Sequence, residues 1–162
     1  MTGTRHGVIQ SILRGCAAGA AGTTALNAVT YADMALRGRS ASGAPEGMVE
    51  RITTKLGHAV PGSADGRENR LSGLGALSGI AVGCGAGTVV SVIHGAGVRM
   101  PLWAGGLATG VLAMTVANLP MTLVGITDPR RWSASDWVSD VAPHIAYGLV
   151  TYGIVTASEQ PR

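Results

Sequence analysis

The sequence predicts an all-α integral membrane protein, a bundle of four helices with an amphipathic helix in its first loop. Only 13% of the 162 residues are charged, whereas a water-soluble domain carries about 25%. All of these charges fall outside four apolar stretches, and about 18 or more consecutive uncharged residues indicate a transmembrane helix. The 25 glycines recur at helical spacing inside these stretches, which is typical of close helix packing in lipid.

The four spans belong to one membrane domain that occupies residues 1–162. The first helix begins near Val8 or Gly15 and ends at Arg37 and Gly38, since a basic last turn followed by glycine is typical of a helix end. We place the spans at about residues 15–36, 71–94, 101–127 and 137–158.

A polar loop over residues 37–70 separates the first two spans. Within it, Pro45 opens and Gly57 closes a short helix, because proline suits the first turn and glycine the position after the last. Its apolar side chains share one face. This amphipathic helix either rests in the headgroup layer or caps the bundle.

Glycines at four-residue spacing mark the helix faces that we expect to pack. Such a stripe leaves a groove without side chains, into which another backbone fits. The stripes comprise Gly75, Gly79, Gly83 and Gly87 in the second span, Gly106 and Gly110 in the third, and Gly15 and Gly19 in the first.

The third span contains Pro120, which removes a backbone hydrogen bond and predicts a kink. The fourth span begins with Ser133 and Asp136, which have the spacing of a capping box. The three tryptophans fall at predicted membrane boundaries, as in interfacial aromatic belts.

Polar residues inside the spans support two interpretations. Asn27 and Thr30 extend a stripe from Thr23 along the first helix, and Asn118 lies in the third. Such side chains usually form hydrogen bonds between helices. The alternative is an oligomeric channel or a small-solute transporter subunit, in which these four residues line a pathway.

Asp140 and His144 lie one helical turn apart at the start of the fourth span. A carboxylate and an imidazole at this spacing near a membrane boundary form a pH-dependent pair. The simpler alternative is that the positive end of the helix dipole stabilises the negative charge of Asp140, and that His144 forms a hydrogen bond with a neighbouring residue.

Composition and spacing exclude several classes of function. We expect no enzyme activity, catalytic residue or cofactor, because the four charge-free stretches make a soluble enzyme unlikely. We also expect no metal site, because Cys16 and Cys84 lie in separate spans with no second thiol or histidine at ligand spacing. Nucleic acid is excluded as a partner, since the basic residues alternate with acids and the net charge is only +3. The expected partners are the lipid bilayer and either a second copy or another membrane protein.

The distribution of Lys and Arg favours one orientation. Eight of the twelve lie in or beside the loops at residues 37–70 and 128–136. The positive-inside rule places these loops in the cytoplasm and both termini outside.

Three segments in the second half of the chain form a further motif. Residues 105–109 (GGLAT) open a helix, Pro120 and residues 125–127 close it, and residues 136–145 (DWVSDVAPHI) follow. The spacing of two acids, a serine and a histidine is the most specific part. Over residues 103–148, about a third of the chain, the sequence resembles the YagU-like family of small bacterial inner-membrane proteins.

This resemblance implies a multi-pass protein of the bacterial inner membrane with no established biochemical activity and a link with acid resistance. It directs attention to Asp136, Asp140 and His144 as proton-responsive residues. Both acids are Asp where the family has Glu, so their side chains are shorter. The sequence therefore predicts a non-enzymatic envelope protein or complex subunit that responds to acid.

Overall fold

The computed structural model describes the backbone of residues 2–158 and the side chains of residues 7–158. Over this range the fold is all-helical, with five helices and no strand. They are α1 (Thr2–Arg37), α2 (Ala44–Lys55), α3 (Ala64–Gly95), α4 (Leu102–Leu123) and α5 (Ala134–Ala157), with a 3-10 turn at Pro129–Arg131 between α4 and α5.

Two of these helices, α3 and α4, are long and apolar enough to cross a membrane. Helices α1 and α5 are also long, with 36 and 24 residues. Their apolar side chains are diluted by glycine, threonine and polar residues such as Asn27 and Asp140. Length and composition therefore single out two of the four predicted spans.

The helix bounds differ from the predicted spans. Helix α1 begins at Thr2 instead of near Val8 or Gly15, and α3 begins at Ala64, seven residues before the predicted span. The extended backbone of Ser63 and the acidic Asp65 provide a normal helix start within the polar loop. The absence of charge thus identifies the apolar part of a helix but not the helix itself.

Glycines in the left-handed conformation end four of the helices, and Gly38, at φ +64°, is the one that ends α1. Gly57, Gly97 and Gly125 have φ of +76°, +100° and +77°. In each case the glycine and the next residue donate backbone hydrogen bonds to the last helical turn, as in a Schellman motif. Gly125 accounts for the end of α4 at Leu123, four residues before the predicted end of that span.

Helix α1 packs antiparallel to α3 through glycines on both helices. A Cβ added at Gly15 would lie 2.6 Å from the carbonyl oxygen of Gly87, and one at Gly87 would lie 2.7 Å from the Cα of Gly19. A Cβ at Gly19 would lie 2.9 Å from the Cα of Cys84, the neighbour of Gly83. The two backbones are therefore in direct contact, with no room for side chains.

Helices α4 and α5 form a second pair of the same kind. A Cβ at Gly110 would lie 2.7 Å from the carbonyl oxygen of His144, and one at Gly106 would lie 2.6 Å from Cδ2 of Leu149. Gly148 of α5 faces both glycines, since a Cβ there would lie 2.5 Å from the amide nitrogen of Gly110. Gly148 was not among the glycines expected from the sequence.

Gly75 and Gly79 do not join the contact between α3 and α1. Gly79 is exposed, and a Cβ there would meet no described atom within 4 Å. Gly75 instead faces α2, where a Cβ would lie 3.2 Å from Cβ of Pro45. Four residues of an α-helix advance by about 400°, so a four-residue stripe drifts by about 40° at each step. One straight neighbour therefore contacts only part of it.

Helix α2 covers one end of the bundle. Besides its contact with α3, its Gly47 approaches Cγ2 of Ile126, and Arg51 donates a 3.2 Å hydrogen bond to the carbonyl of Val124. The ends of α1 and α4 and the starts of α3 and α5 lie at this same end. The loops that the sequence placed on one side of the membrane are thus adjacent.

The interior is formed by small residues and by two tyrosines of α5. Tyr147 and Tyr152 are each 1% exposed. The hydroxyl of Tyr147 donates a 2.6 Å hydrogen bond to the carbonyl of Gly83, and that of Tyr152 bonds the backbone of Met100. These side chains link α5 to α3 and to the turn before α4.

Candidate functional site

A network of charged and hydroxyl groups lies where the end of α1 meets the start of α5. Its centre is Asp33, which accepts hydrogen bonds of 2.5 Å from Nε and Nη2 of Arg37 and from Nε of Arg39. Asp33 and Arg37 are one turn apart on α1, a spacing that brings opposite charges together on a helix surface. Two guanidinium groups thus surround one carboxylate.

Arg37 also connects this network to α5. Its Nη1 donates to Oγ of Ser135 and its Nη2 to Oγ of Ser139. The hydrogen bond that Arg37 donates to Asp33 raises the pKa of the Arg37 guanidinium. Arg37 therefore stays charged and joins two helices that are about 100 residues apart in the sequence.

Asp136 takes part in a different structure, the N-terminal cap of α5. Its carboxylate accepts hydrogen bonds from the backbone nitrogen and the hydroxyl of Ser133, at 2.9 and 2.7 Å. In return, Oγ of Ser133 accepts a 3.2 Å bond from the amide of Asp136. The Ser133 hydroxyl, followed by its backbone N–H, lowers the pKa of Asp136. This capping box is the one that the sequence spacing predicts.

A second polar cluster lies between α4 and α5, one turn further along α5. Nδ2 of Asn118 donates a 2.7 Å hydrogen bond to Oδ2 of Asp140. Nδ1 of His144 lies 2.7 Å from the backbone carbonyl of Asp140 and 3.7 Å from its Oδ1. The side chains of Asp140 and His144 are 24% and 12% exposed, so this cluster is largely shielded from the surroundings.

The contact with the carbonyl of Asp140 determines the form of the histidine. A carbonyl only accepts hydrogen bonds, so Nδ1 of His144 carries the proton in this contact. The cluster therefore places one imidazole beside one carboxylate.

The structure brings together some of the predicted site residues and separates others. Asn118, Asp140 and His144 form one cluster, whereas Asp136 belongs to the helix cap. Asn27 and Thr30 are half-buried on α1 and make no side-chain hydrogen bond with the described residues. The hydrogen bond of Asn118 with Asp140 joins α4 to α5.

Several contacts could not be anticipated from the sequence. Arg37 is expected only as a helix end and Ser135 gives no signal in the sequence, whereas Ser139 is the serine of the motif at residues 136–145. Cys16 and Cys84, which the sequence places in separate spans, face each other across the contact between α1 and α3. Both thiols are free.

Within the side chains that the structure describes, no three His, Cys, Asp or Glu residues lie close enough to hold a metal ion. The two polar clusters are thus groups of hydrogen bonds and ion pairs near one end of the bundle. Comparison with protein-family models, with curated proteins and with solved structures finds no match to this chain.

Proposed function

We propose that this chain is a polytopic protein of the bacterial inner membrane, in which α1, α3, α4 and α5 each cross the bilayer. We further propose that it has no enzymatic activity and acts as an envelope protein, through self-association or as a subunit of a membrane complex. The support comes from the positions of its apolar side chains.

The distribution of large apolar residues is the reverse of that in a soluble protein. Among the described residues, 28 large hydrophobic side chains are exposed, whereas the buried apolar core has nine members, three of them alanines. Leu, Ile and Val are among the residues most often buried in soluble proteins. Exposed apolar surface on this scale is typical of membrane contact.

The low burial of α3 and α4 also supports a membrane position. Only 28% of the most apolar window of each helix is buried, whereas the core helix of a soluble protein is mostly buried. The remaining apolar surface needs a covering, which the hydrocarbon of a bilayer supplies.

The membrane position of helices α1 and α5 is inferred from their packing. Each lies in backbone contact with α3 or α4 through glycines, so it occupies the same layer as its neighbour. A helix of 24 residues is about 36 Å long, which exceeds the roughly 30 Å of a hydrocarbon core. Close contact at small residues is also the main source of helix association in lipid.

Sedimentation tests this membrane position. The full chain, expressed in bacteria, should pellet with membranes after washing with alkaline carbonate and should enter the supernatant only with detergent. Release by carbonate alone would contradict the proposal, because a peripheral protein is removed by that treatment.

We also propose that Asp140 and His144 respond to acid, as the resemblance to YagU-like proteins implies. The observation in its support is the shielded cluster with Asn118, in which protonation changes the charge beside a half-buried carboxylate. Asp136, one turn earlier on α5, is held in the helix cap, and Asp33 of α1 is paired with Arg37.

Variants of this cluster test the acid response. Asp140→Asn and His144→Ala should lower bacterial survival at low pH while protein abundance stays unchanged. Glu68→Gln is the matched control, since it removes an exposed acid outside the cluster. Equal survival of all three variants and the unchanged protein would remove the proton-responsive role.

A further inference from the structure

An open cavity of about 540 Å³ lies between α2, the loop that follows it and the start of α3. Ligand sites typically have volumes of about 300–1,000 Å³. Val60, Pro61, Leu74 and Leu77 form much of its wall. The lining is therefore mostly apolar, although the cavity lies beside the polar loop.

Arg70 supplies a positive charge at this wall. Its Nη1 donates to the carbonyl oxygen of Pro61. With the part of the chain that the structure describes, the guanidinium makes no other hydrogen bond and no ion pair. The remaining N–H groups of Arg70 are available to an anion, and the fork of a guanidinium matches a phosphate well.

Among the described residues that line the cavity, Arg70 is charged and none is acidic. The nearby carboxylate of Glu50 is taken up by an ion pair with Arg67. His58 also lines the wall, and its Nδ1 lies 3.0 Å from the carbonyl oxygen of Leu56.

The apolar part of the cavity belongs to the beginning of the membrane segment. The uncharged stretch of α3 starts at Leu71, directly after Arg70. Leu74 and Leu77 lie in its first two turns and are 43% and 62% exposed. The charge of Arg70 and the exposed apolar side chains of Leu74 and Leu77 thus lie at one level of α3. In the proposed membrane position, this is the level at which lipid headgroups join their acyl chains.

We infer that this cavity binds one anionic phospholipid, with Arg70 on its phosphate and Leu74 and Leu77 against the upper part of an acyl chain. The inference rests on the proposed membrane position. A water-soluble phosphate would contact the cation but would gain nothing from the two leucines. The site therefore favours a lipid over a free anion.

Native mass spectrometry of the full chain in detergent tests this site. The chain is titrated with phosphatidylglycerol, with phosphatidylcholine and with glycerol phosphate, and the fraction of lipid-bound protein is compared. The unchanged protein should bind phosphatidylglycerol most tightly. Arg70→Gln should weaken this binding about tenfold, because a charge-assisted hydrogen bond is lost.

Two further variants separate charge from apolar contact. Arg131→Gln removes an exposed arginine outside the cavity and should leave lipid binding unchanged. Leu77→Gln should weaken phosphatidylglycerol and phosphatidylcholine alike, since it alters only the acyl-chain contact. Circular dichroism of each variant confirms that the helices are retained.

Equal binding of phosphatidylglycerol by the Arg70 and Arg131 variants would overturn the lipid site. Competition by glycerol phosphate at the same concentration as the lipid would also overturn it, in favour of a simple anion site. Either result leaves the carbonate experiment unaffected. A protein that carbonate releases from membranes would instead refute the membrane position on which the inference rests.

Discussion

Replacing Gly87 by alanine should force α1 and α3 apart. The new Cβ would lie 2.7 Å from the Cα and from the nitrogen of Gly19, and closer still to the carbonyl oxygen of Gly15. These distances fall at least 0.7 Å inside the 3.4 Å at which ordinary contact begins. The neighbouring atoms belong to a backbone, so no side-chain rotation relieves the clash.

Gly85 provides a matched control two residues away on the same helix. A Cβ at Gly85 meets nothing within 4 Å in the described part of the chain. Both substitutions gain the helix propensity of alanine over glycine, about 1 kcal/mol, but only Gly87→Ala adds overpacking, which costs about 1–3 kcal/mol. The two variants should therefore differ by about 1–3 kcal/mol in their free energy of unfolding.

Unfolding by sodium dodecyl sulfate in mixed micelles, followed by circular dichroism, measures this difference. Gly85→Ala should unfold at the same detergent fraction as the unchanged protein or at a higher one, and Gly87→Ala at a lower one. If Gly87→Ala were as stable as Gly85→Ala, the two backbones would not be in contact at this position.

Three further predictions follow from the polar contacts. The cap formed with Ser133 lowers the pKa of Asp136. The ionised carboxylate of Asp136 therefore stabilises the fold at pH values above its unfolded pKa of about 3.9, and this stabilisation is lost as the pH falls through the folded pKa. The difference in melting temperature between the unchanged protein and Asp136→Asn should therefore disappear in acid. Tyr147→Phe removes the hydrogen bond to Gly83 and should cost about 1 kcal/mol in detergent-induced unfolding, whereas an unchanged midpoint would exclude this contact. Arg37→Gln removes the link between α1 and α5 and should lower the melting temperature. This decrease should be smaller at high salt, because exposed ion pairs are screened. A decrease in melting temperature that does not depend on salt would contradict an electrostatic link.

The sequence predicts the all-helical fold because its local signals are strong. Long uncharged stretches indicate helices, Pro45 and Gly57 bracket α2, and Ser133 with Asp136 starts α5. The uncharged stretches lie within single helices and the capping residues act within one or two turns, so both can be read without knowing the packing. The absence of charge does not identify the start of α3, which lies in polar sequence at Ser63 and Asp65.

The partners of each helix could not be predicted because they depend on how the faces rotate. Gly79 has the same spacing as Gly83 but meets no neighbouring helix, while Gly148 stands alone in the sequence and packs tightly. Asn118 and Asp140 each attract attention as polar residues in apolar spans. Their hydrogen bond is a property of the contact between α4 and α5 and leaves no pattern in the sequence.

Labelling with a membrane-impermeant maleimide tests the four crossings most directly. The two native cysteines are replaced by alanine, and single cysteines are introduced at Val8, Ser40, Val98, Arg130 or Ser158. In intact spheroplasts the cysteines at positions 8, 98 and 158 should react, and those at 40 and 130 should react only after permeabilisation. The alternation of accessible and protected positions along the chain tests the four crossings. The same alternation is expected if the orientation in the membrane is reversed. Labelling of positions 8 and 40 from the same side, or of all five without permeabilisation, would contradict a chain that crosses the membrane four times.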